Sequence, residues 1–139
     1  MNKLTGSEAT ILTSLLWVAL GGAIGALARY GSALLALGIF GKSFPFGTLI
    51  VNIVGSFLLA VLFLGQQQGT VHENTWLFLG VGVLGAFTTF STFSLETVLL
   101  FQNGEFLKAL IYASLNFICC IAAVALALGL KTYFLSMWN

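Results

Sequence analysis

Four apolar segments, each close to or beyond the length of a membrane-crossing helix, dominate this sequence of 139 residues. They cover residues 11–37, 47–65, 75–101 and 108–134. A helix needs about 20 predominantly apolar residues to cross the hydrocarbon core of a bilayer. Because the connectors are short, the sequence predicts an all-α membrane protein: one transmembrane domain over residues 1–139 with four helices.

The composition excludes other classes of protein. Only 6% of the residues are charged and 59% are hydrophobic, whereas soluble domains carry about 25% charged residues. A net charge of +1 without clustered Lys and Arg argues against a nucleic-acid partner. We therefore expect a multi-pass protein of the cell membrane, with lipid as its surroundings.

The third apolar segment contains an interruption. Residues 85–92, GAFTTFST, followed by Phe93, alternate hydroxyl and aromatic side chains where a lipid-facing helix would be uniformly apolar. A membrane tolerates a broken helix only where protein or a water-filled cavity surrounds it. The sequence thus predicts a broken third helix and places the candidate functional site there.

Positive charge is almost balanced between the two sides of a four-span topology. Lys3 and Lys131 fall on one side, Lys42 and Lys108 on the other, and Arg29 shifts the balance by at most one. Orientation in membranes follows the bias of Lys and Arg in short loops. The near tie predicts that the chain inserts in both orientations.

Dual insertion and the interruption together predict an antiparallel homodimer. A lone bundle leaves unpaired backbone groups of the broken helix partly facing lipid, which is costly, and an inverted copy would cover them. Glycines allow helix backbones to approach closely. Those that support close contact are Gly21, Gly22, Gly25, Gly80, Gly82 and Gly85.

Uncharged polar residues within the spans indicate a path for a small anion. Asn52 and Ser56 share one helix face, as do Tyr112, Asn116 and Cys120. Aromatic rings have positive edges, but Phe90 and Phe93 alone cannot replace the hydration of an ion, so amides, hydroxyls and water must supply most of it. The hydroxyls beside the two rings belong to Thr89, Ser91, Thr92 and Ser94.

Each of these residues also has an ordinary structural interpretation. Phenylalanine often packs or faces lipid, and Ser and Thr often bond their own helix backbone. Arg29 and Glu96 are the ionisable residues nearest the membrane interior. Such residues are usually functional, so a wet vestibule in which Arg29 concentrates anions is one interpretation, and simple anchoring of Arg29 at the surface is the other.

Three stretches resemble the Fluc (CrcB) fluoride channel family: residues 21–30 (GGAIGALARY), 47–57 (GTLIVNIVGSF) and 85–94 (GAFTTFSTFS). The resemblance covers essentially the whole chain. It implies a dual-topology homodimer with two fluoride pores, which lets fluoride leave the cell down its gradient and protects against fluoride toxicity.

The resemblance also implies roles for individual residues. It places Asn52, Phe90 and Phe93 along each pore, with Tyr112 and the polar residues of the fourth helix continuing the path. It implies a structural sodium ion at the dimer centre, bound by the backbone carbonyls of Gly85 and Thr88 of both subunits. Arg29 matches the arginine of the family, and Glu96 matches its acid after the TTFSTF element. Asn116 and Cys120 depart from the Ser or Gly that family members often carry.

The alternative function is that of a small multidrug exporter, which is also a four-helix, dual-topology dimer. Those exporters exchange protons at a carboxylate in the middle of the first helix, and this chain has no acid over residues 11–40. An enzyme is not expected, since no Ser/His, His/Asp or carboxylate pair falls at a shared depth.

Overall fold

The computed structural model describes the backbone of residues 3–137 and the side chains of residues 8–130. We number its helices α1 (Lys3–Phe40), α2 (Phe46–Gln67), α3 (residues 73–87), α4 (Phe90–Gln102) and α5 (Phe106–Met137). Four stretches are long and apolar enough to cross a membrane, with α3 and α4 together forming the third: Glu8–Phe40, Phe46–Gln67, Glu73–Gln102 and Phe106–Leu130. The predicted all-α fold with four spans is confirmed.

Helices α1, α2 and α5, and α3 and α4 taken together, extend beyond the predicted ranges at both ends. The polar residues that were assigned to connectors, such as Gln66 and Gln102, are still helical. Gly41 and Gly104 end α1 and α4 with φ angles of 72° and 77°, a left-handed conformation that glycine adopts without a steric cost. The side chains of Lys3 and Lys131, which enter the predicted charge balance, lie outside the described residues.

Helices α1 and α3 pack with their backbones in contact. A Cβ atom on Gly21 would overlap the carbonyl oxygen of Phe78, and one on Gly25 would overlap that of Val83. From the other side, a Cβ atom on Gly82 would lie 2.8 Å from the Cα of Gly21. Only glycine permits this approach, so these residues hold the third span against the first.

This packing corrects the expected use of the glycines. Gly21, Gly25 and Gly82, which were expected to support contact between two copies, are occupied within one chain. A Cβ atom on Gly22 would face open space, and one on Gly80 would meet the ring of Trp76 of the same chain. The close contacts of Gly21, Gly25 and Gly82 therefore reflect helix packing within one chain.

The third span is broken at only two residues. α3 is π-helical over Trp76–Leu84 and ends with the α-helical turn Gly85–Phe87. Thr88 and Thr89 are extended, with φ, ψ angles of −80°, 157° and −154°, 113°. The predicted interruption over residues 85–92 was too wide, because α4 already begins at Phe90, where the Thr89 hydroxyl caps the Thr92 N–H at 3.1 Å.

Helices α2 and α5 pack against each other on the same side of the break. Val51 of α2 is 1% exposed, and Ala109 and Tyr112 of α5 are fully buried. Most large apolar side chains of the described residues are exposed instead, as expected for helices whose outer faces contact lipid. Of the buried residues named here, Tyr112 reaches the break, since its ring contacts that of Phe93.

Candidate functional site

A single side chain from α2 binds the backbone of the break. The Oδ1 atom of Asn52 accepts the Thr89 N–H at 2.8 Å, and its Nδ2 atom donates to the Thr89 carbonyl oxygen at 3.2 Å. Extended backbone in a membrane leaves such groups without helical partners, and their hydrogen bonds must be replaced. Asn52 thus supplies the two bonds that the helix loses at Thr89.

A second amide completes the arrangement. The remaining N–H of Asn52 donates to Oδ1 of Asn116 at 3.0 Å, and Nδ2 of Asn116 donates to the Tyr112 carbonyl oxygen at 3.2 Å. Asn116 is 5% exposed. Asn52 and Asn116 therefore join α2, the break and α5 through one continuous set of hydrogen bonds.

The hydroxyl groups of the break bond largely to one another. The Oγ1 atom of Thr89 lies 3.0 Å from Oγ1 of Thr92 and 3.1 Å from Oγ of Ser91. The hydroxyls of Thr88 and Ser94 donate to carbonyls one turn earlier, at 3.1 and 2.8 Å. For these last two residues the ordinary interpretation, bonding to the local backbone, describes the structure.

A cavity of about 340 Å³, which we call the break cavity, lies between α2, the break and α5. Its lining includes Asn52, Thr89, Phe90, Phe93 and Asn116. Ring faces and edges are thus placed beside amide groups in a partly apolar space. The cavity is large enough for a small ion with some of its water.

Four aromatic rings connect this cavity with the loops on one side of the molecule. The ring centroids of Phe90 and Phe93 are 5.4 Å apart, and those of Phe93 and Tyr112 are 5.5 Å apart. Phe44, in the loop after α1, meets Tyr112 edge to face at 5.5 Å. The rings thus form a continuous series of contacts from the break cavity to the loop after α1.

The series ends at a second cavity of about 510 Å³, the loop cavity. Lys42, Thr48, Glu96 and Lys108 contribute to its lining. The Tyr112 hydroxyl donates to the Glu96 carboxylate at 2.5 Å, so this donor is occupied. Lysine side chains at a cavity mouth attract anions over a distance of about one Debye length, although Lys108 is paired with the Glu105 carboxylate at 3.0 Å.

The structure brings most of the predicted site residues together but separates the vestibule pair. Ser91 and Thr92 bond to Thr89 at the edge of the break cavity. Glu96 lines the loop cavity. Arg29 is half-buried on α1 and lies outside the described lining of both cavities.

Sequence reasoning missed two residues of the loop cavity. Phe44 sits beside Pro45 in a connector, and Thr48, 7% exposed, lies in the first turn of α2. The sequence offers a signal for Thr48 alone, because it precedes Asn52 by four residues and so shares its helix face.

One side of the break remains uncovered within the chain. The Phe90 side chain is 78% exposed, and Gly85 and Ser91 are also exposed. The carbonyl of Gly85 would pair with the Thr89 N–H in a continuous helix, but that N–H bonds to Asn52. An exposed surface that includes backbone of the interrupted helix therefore lies in the middle of a membrane span.

Comparison with known proteins supports a family assignment. Residues 16–129 match the model of the family described as CrcB-like protein, Camphor Resistance (CrcB). A protein of Idiomarina loihiensis named fluoride-specific ion channel FluC is 57% identical over 114 residues, which cover 81% of this chain and 88% of that protein. A protein of Shewanella halifaxensis with the same name is 51% identical over 115 residues, covering 83% and 93%.

Proposed function

Since this chain belongs to the CrcB family, we propose that it is a fluoride-selective ion channel that lets fluoride leave the cell down its gradient. It is a multi-pass protein of the bacterial cell membrane. Its relatives carry the name of a fluoride-specific channel. The observation that carries the proposal for this chain is the break cavity, which places two phenylalanine rings beside two amides inside a membrane span.

The proposed ion path runs from the break cavity along the aromatic series to the loop cavity. The rings of Phe90, Phe93 and Tyr112 follow one another along this path, and in this proposal their positive edges face the ion. Hydrogen bonds to a charged group contribute about 1.5–3 kcal/mol each, so Asn52 and the hydroxyls of Thr89, Ser91 and Thr92 supply the larger part of the interaction, with Asn116 beside them in the lining of the pore. At the loop cavity, Lys42 raises the local concentration of anions.

The working unit in this proposal is an antiparallel homodimer with two pores. The exposed surface at Gly85, Phe90 and Ser91 supports it, because polar backbone at this depth needs a cover of protein or water. An inverted copy would place the same surface against it at the same depth.

A sodium ion at the centre of that dimer fits the residues present. The Gly85 carbonyl has lost its helical donor to Asn52, and Thr88 is extended, so its carbonyl does not point along the helix axis. Carbonyl oxygens of unwound helices are suitable ligands for sodium in membrane proteins. Two such oxygens from each subunit would bind the ion and satisfy acceptors that the break leaves free.

Purified protein in fluoride-loaded liposomes is expected to release fluoride rapidly and chloride far more slowly. Fluoride is small and accepts strong hydrogen bonds from the amides and hydroxyls of the break cavity, whereas the larger chloride ion accepts weaker ones. The measurement is anion efflux recorded with ion-selective electrodes. Phe90→Ile and Phe93→Ile keep bulk but remove the ring edges, and each is expected to reduce fluoride efflux roughly twofold to tenfold, the effect of about 0.5–1.5 kcal/mol.

Equal rates for the two anions in the unmodified protein would contradict the proposed selectivity. Full efflux in both phenylalanine variants would show that the rings only pack. A monodisperse elution profile of each variant serves as the control for folding.

A reporter fused to the C-terminus is expected on both sides of the membrane in comparable amounts. Lys42, in the loop after α1, and Lys108, in the first turn of α5, line the same cavity and so lie on one side of the molecule. They are in near balance with the two lysines predicted for the other side, Lys3 and Lys131. Adding two lysines to the loop after α2 should move the reporter to a single side and leave few antiparallel dimers. A reporter confined to one side in the unmodified protein would contradict dual insertion.

A further inference from the structure

We propose that the side-chain oxygen of Asn116 occupies the place at Asn52 that a permeating anion must take. This inference rests on the proposed fluoride conduction. It makes Asn116 a determinant of anion affinity that acts by competing with the ion for one N–H group. The position of Asn116 beside the pore suggests that it donates a hydrogen bond to the ion. In this proposal it competes with the ion instead.

The orientation of both amides follows from their backbone partners. The Thr89 N–H can only donate, so the atom of Asn52 that faces it at 2.8 Å is the oxygen. The Tyr112 carbonyl can only accept, so the atom of Asn116 that faces it at 3.2 Å is the nitrogen. Side-chain oxygen and nitrogen atoms of Asn are otherwise assigned from their networks, and here the two backbone groups fix the assignment.

With these orientations, Asn52 has no free donor. One of its two N–H groups bonds to the Thr89 carbonyl at 3.2 Å, and the other bonds to Oδ1 of Asn116 at 3.0 Å. A carboxamide nitrogen carries only two hydrogens. An anion in the break cavity can therefore bond to Asn52 only by replacing one of these acceptors.

Of the two acceptors, the Asn116 oxygen is the one that can move away from Asn52. The Thr89 carbonyl belongs to the backbone of the break and is fixed between α3 and α4. The Asn116 oxygen belongs to a side chain, which lines the cavity together with Asn52 and both rings. Rotation of that side chain would expose the Asn52 N–H to the cavity without disturbing the break.

Replacement of the Asn116 oxygen by an anion at the Asn52 N–H favours an ion that accepts hydrogen bonds strongly. A charged acceptor makes shorter and stronger bonds than a neutral amide oxygen, and fluoride is small enough to sit at the same distance from the N–H. A larger anion makes a longer and weaker bond and gains less from displacing the amide. Competition by Asn116 thus contributes to selectivity as well as to affinity.

The test removes the competing oxygen. In Asn116→Ser the hydroxyl is too short to reach Asn52, and it can donate to the carbonyl of Tyr112 as Ser94 does to the carbonyl of Phe90. We expect the fluoride concentration for half-maximal efflux to fall roughly threefold to tenfold, the range set by the net free energy of one hydrogen bond. The same change at an exposed site, Asn74→Ser, is the matched control and should leave this concentration unchanged.

A second measurement uses the unmodified channel and does not depend on the folding of a variant. With asparagine labelled by 15N, fluoride should move the side-chain N–H signal of Asn52 in a saturable way, and chloride at equal concentration should not. A half-maximal concentration that is unchanged in Asn116→Ser, or an Asn52 signal that fluoride leaves in place, would overturn the proposal. If the unmodified protein releases no fluoride, the proposed function itself fails, and this inference fails with it.

Discussion

Replacing Asn52 with leucine is expected to abolish fluoride efflux and to lower the thermal stability of the protein substantially. Leucine has nearly the same shape but leaves both the N–H and the carbonyl of Thr89 without the bonds at 2.8 and 3.2 Å. Each unsatisfied buried group costs about 1–3 kcal/mol, against a total stability of about 5–15 kcal/mol for a typical protein. The measurements are efflux from liposomes and thermal unfolding in detergent.

The matched control is Asn74→Leu, the same substitution at an exposed position of α3, which should change the unfolding temperature little. If Asn52→Leu unfolds at the same temperature as the unmodified protein, the break does not depend on this amide. A variant that stays stable but loses efflux would instead make Asn52 an ion contact without a structural role.

Gly25→Ala is expected to disrupt the fold even though it adds one methyl group. The added carbon would overlap the carbonyl oxygen of Val83, and backbone cannot move aside as a flexible side chain can. Overpacking in a well-packed region costs about 1–3 kcal/mol, and separation of α1 from α3 would add the loss of the whole helix contact. We expect a large loss of folded protein, measured as the monodisperse fraction after extraction and as a lower unfolding temperature.

Gly38→Ala is the control within the same helix, since a Cβ atom there would meet open space. Alanine is favoured over glycine in a helix by about 1 kcal/mol, so this variant should be as stable as the unmodified protein or more so. Similar behaviour of Gly25→Ala and Gly38→Ala would mean that α1 and α3 are not held by backbone contact.

Much of the architecture could be predicted from the sequence because membranes restrict the options. Four apolar segments of sufficient length specify four spans, and the TTFSTF element located the break between α3 and α4. The break was predicted too wide, since the hydroxyl of Thr89 starts a new helix at once by capping it. The sequence does show a threonine before Phe90, but capping depends on an extended backbone that only the fold reveals.

The chemistry of the site was harder to predict than its location. Asn52 and Asn116 were expected to offer N–H donors to an ion. Three of their N–H groups instead donate within the protein: two from Asn52, to the Thr89 carbonyl and to Asn116, and one from Asn116 to the Tyr112 carbonyl. These contacts join residues 37 and 64 positions apart in the chain. Periodicity reports which residues share a helix face, and it contains no information about partners on other helices.

The mutual bonding of Asn52, Thr89 and Asn116 has a consequence for how the chain folds. Proteins whose shape depends on a ligand gain stability as the ligand rises and lose it when the ligand is absent. Here the polar groups of the passage satisfy one another, so no anion is needed to hold it together. These polar groups can therefore be buried as the chain folds, before it meets an ion.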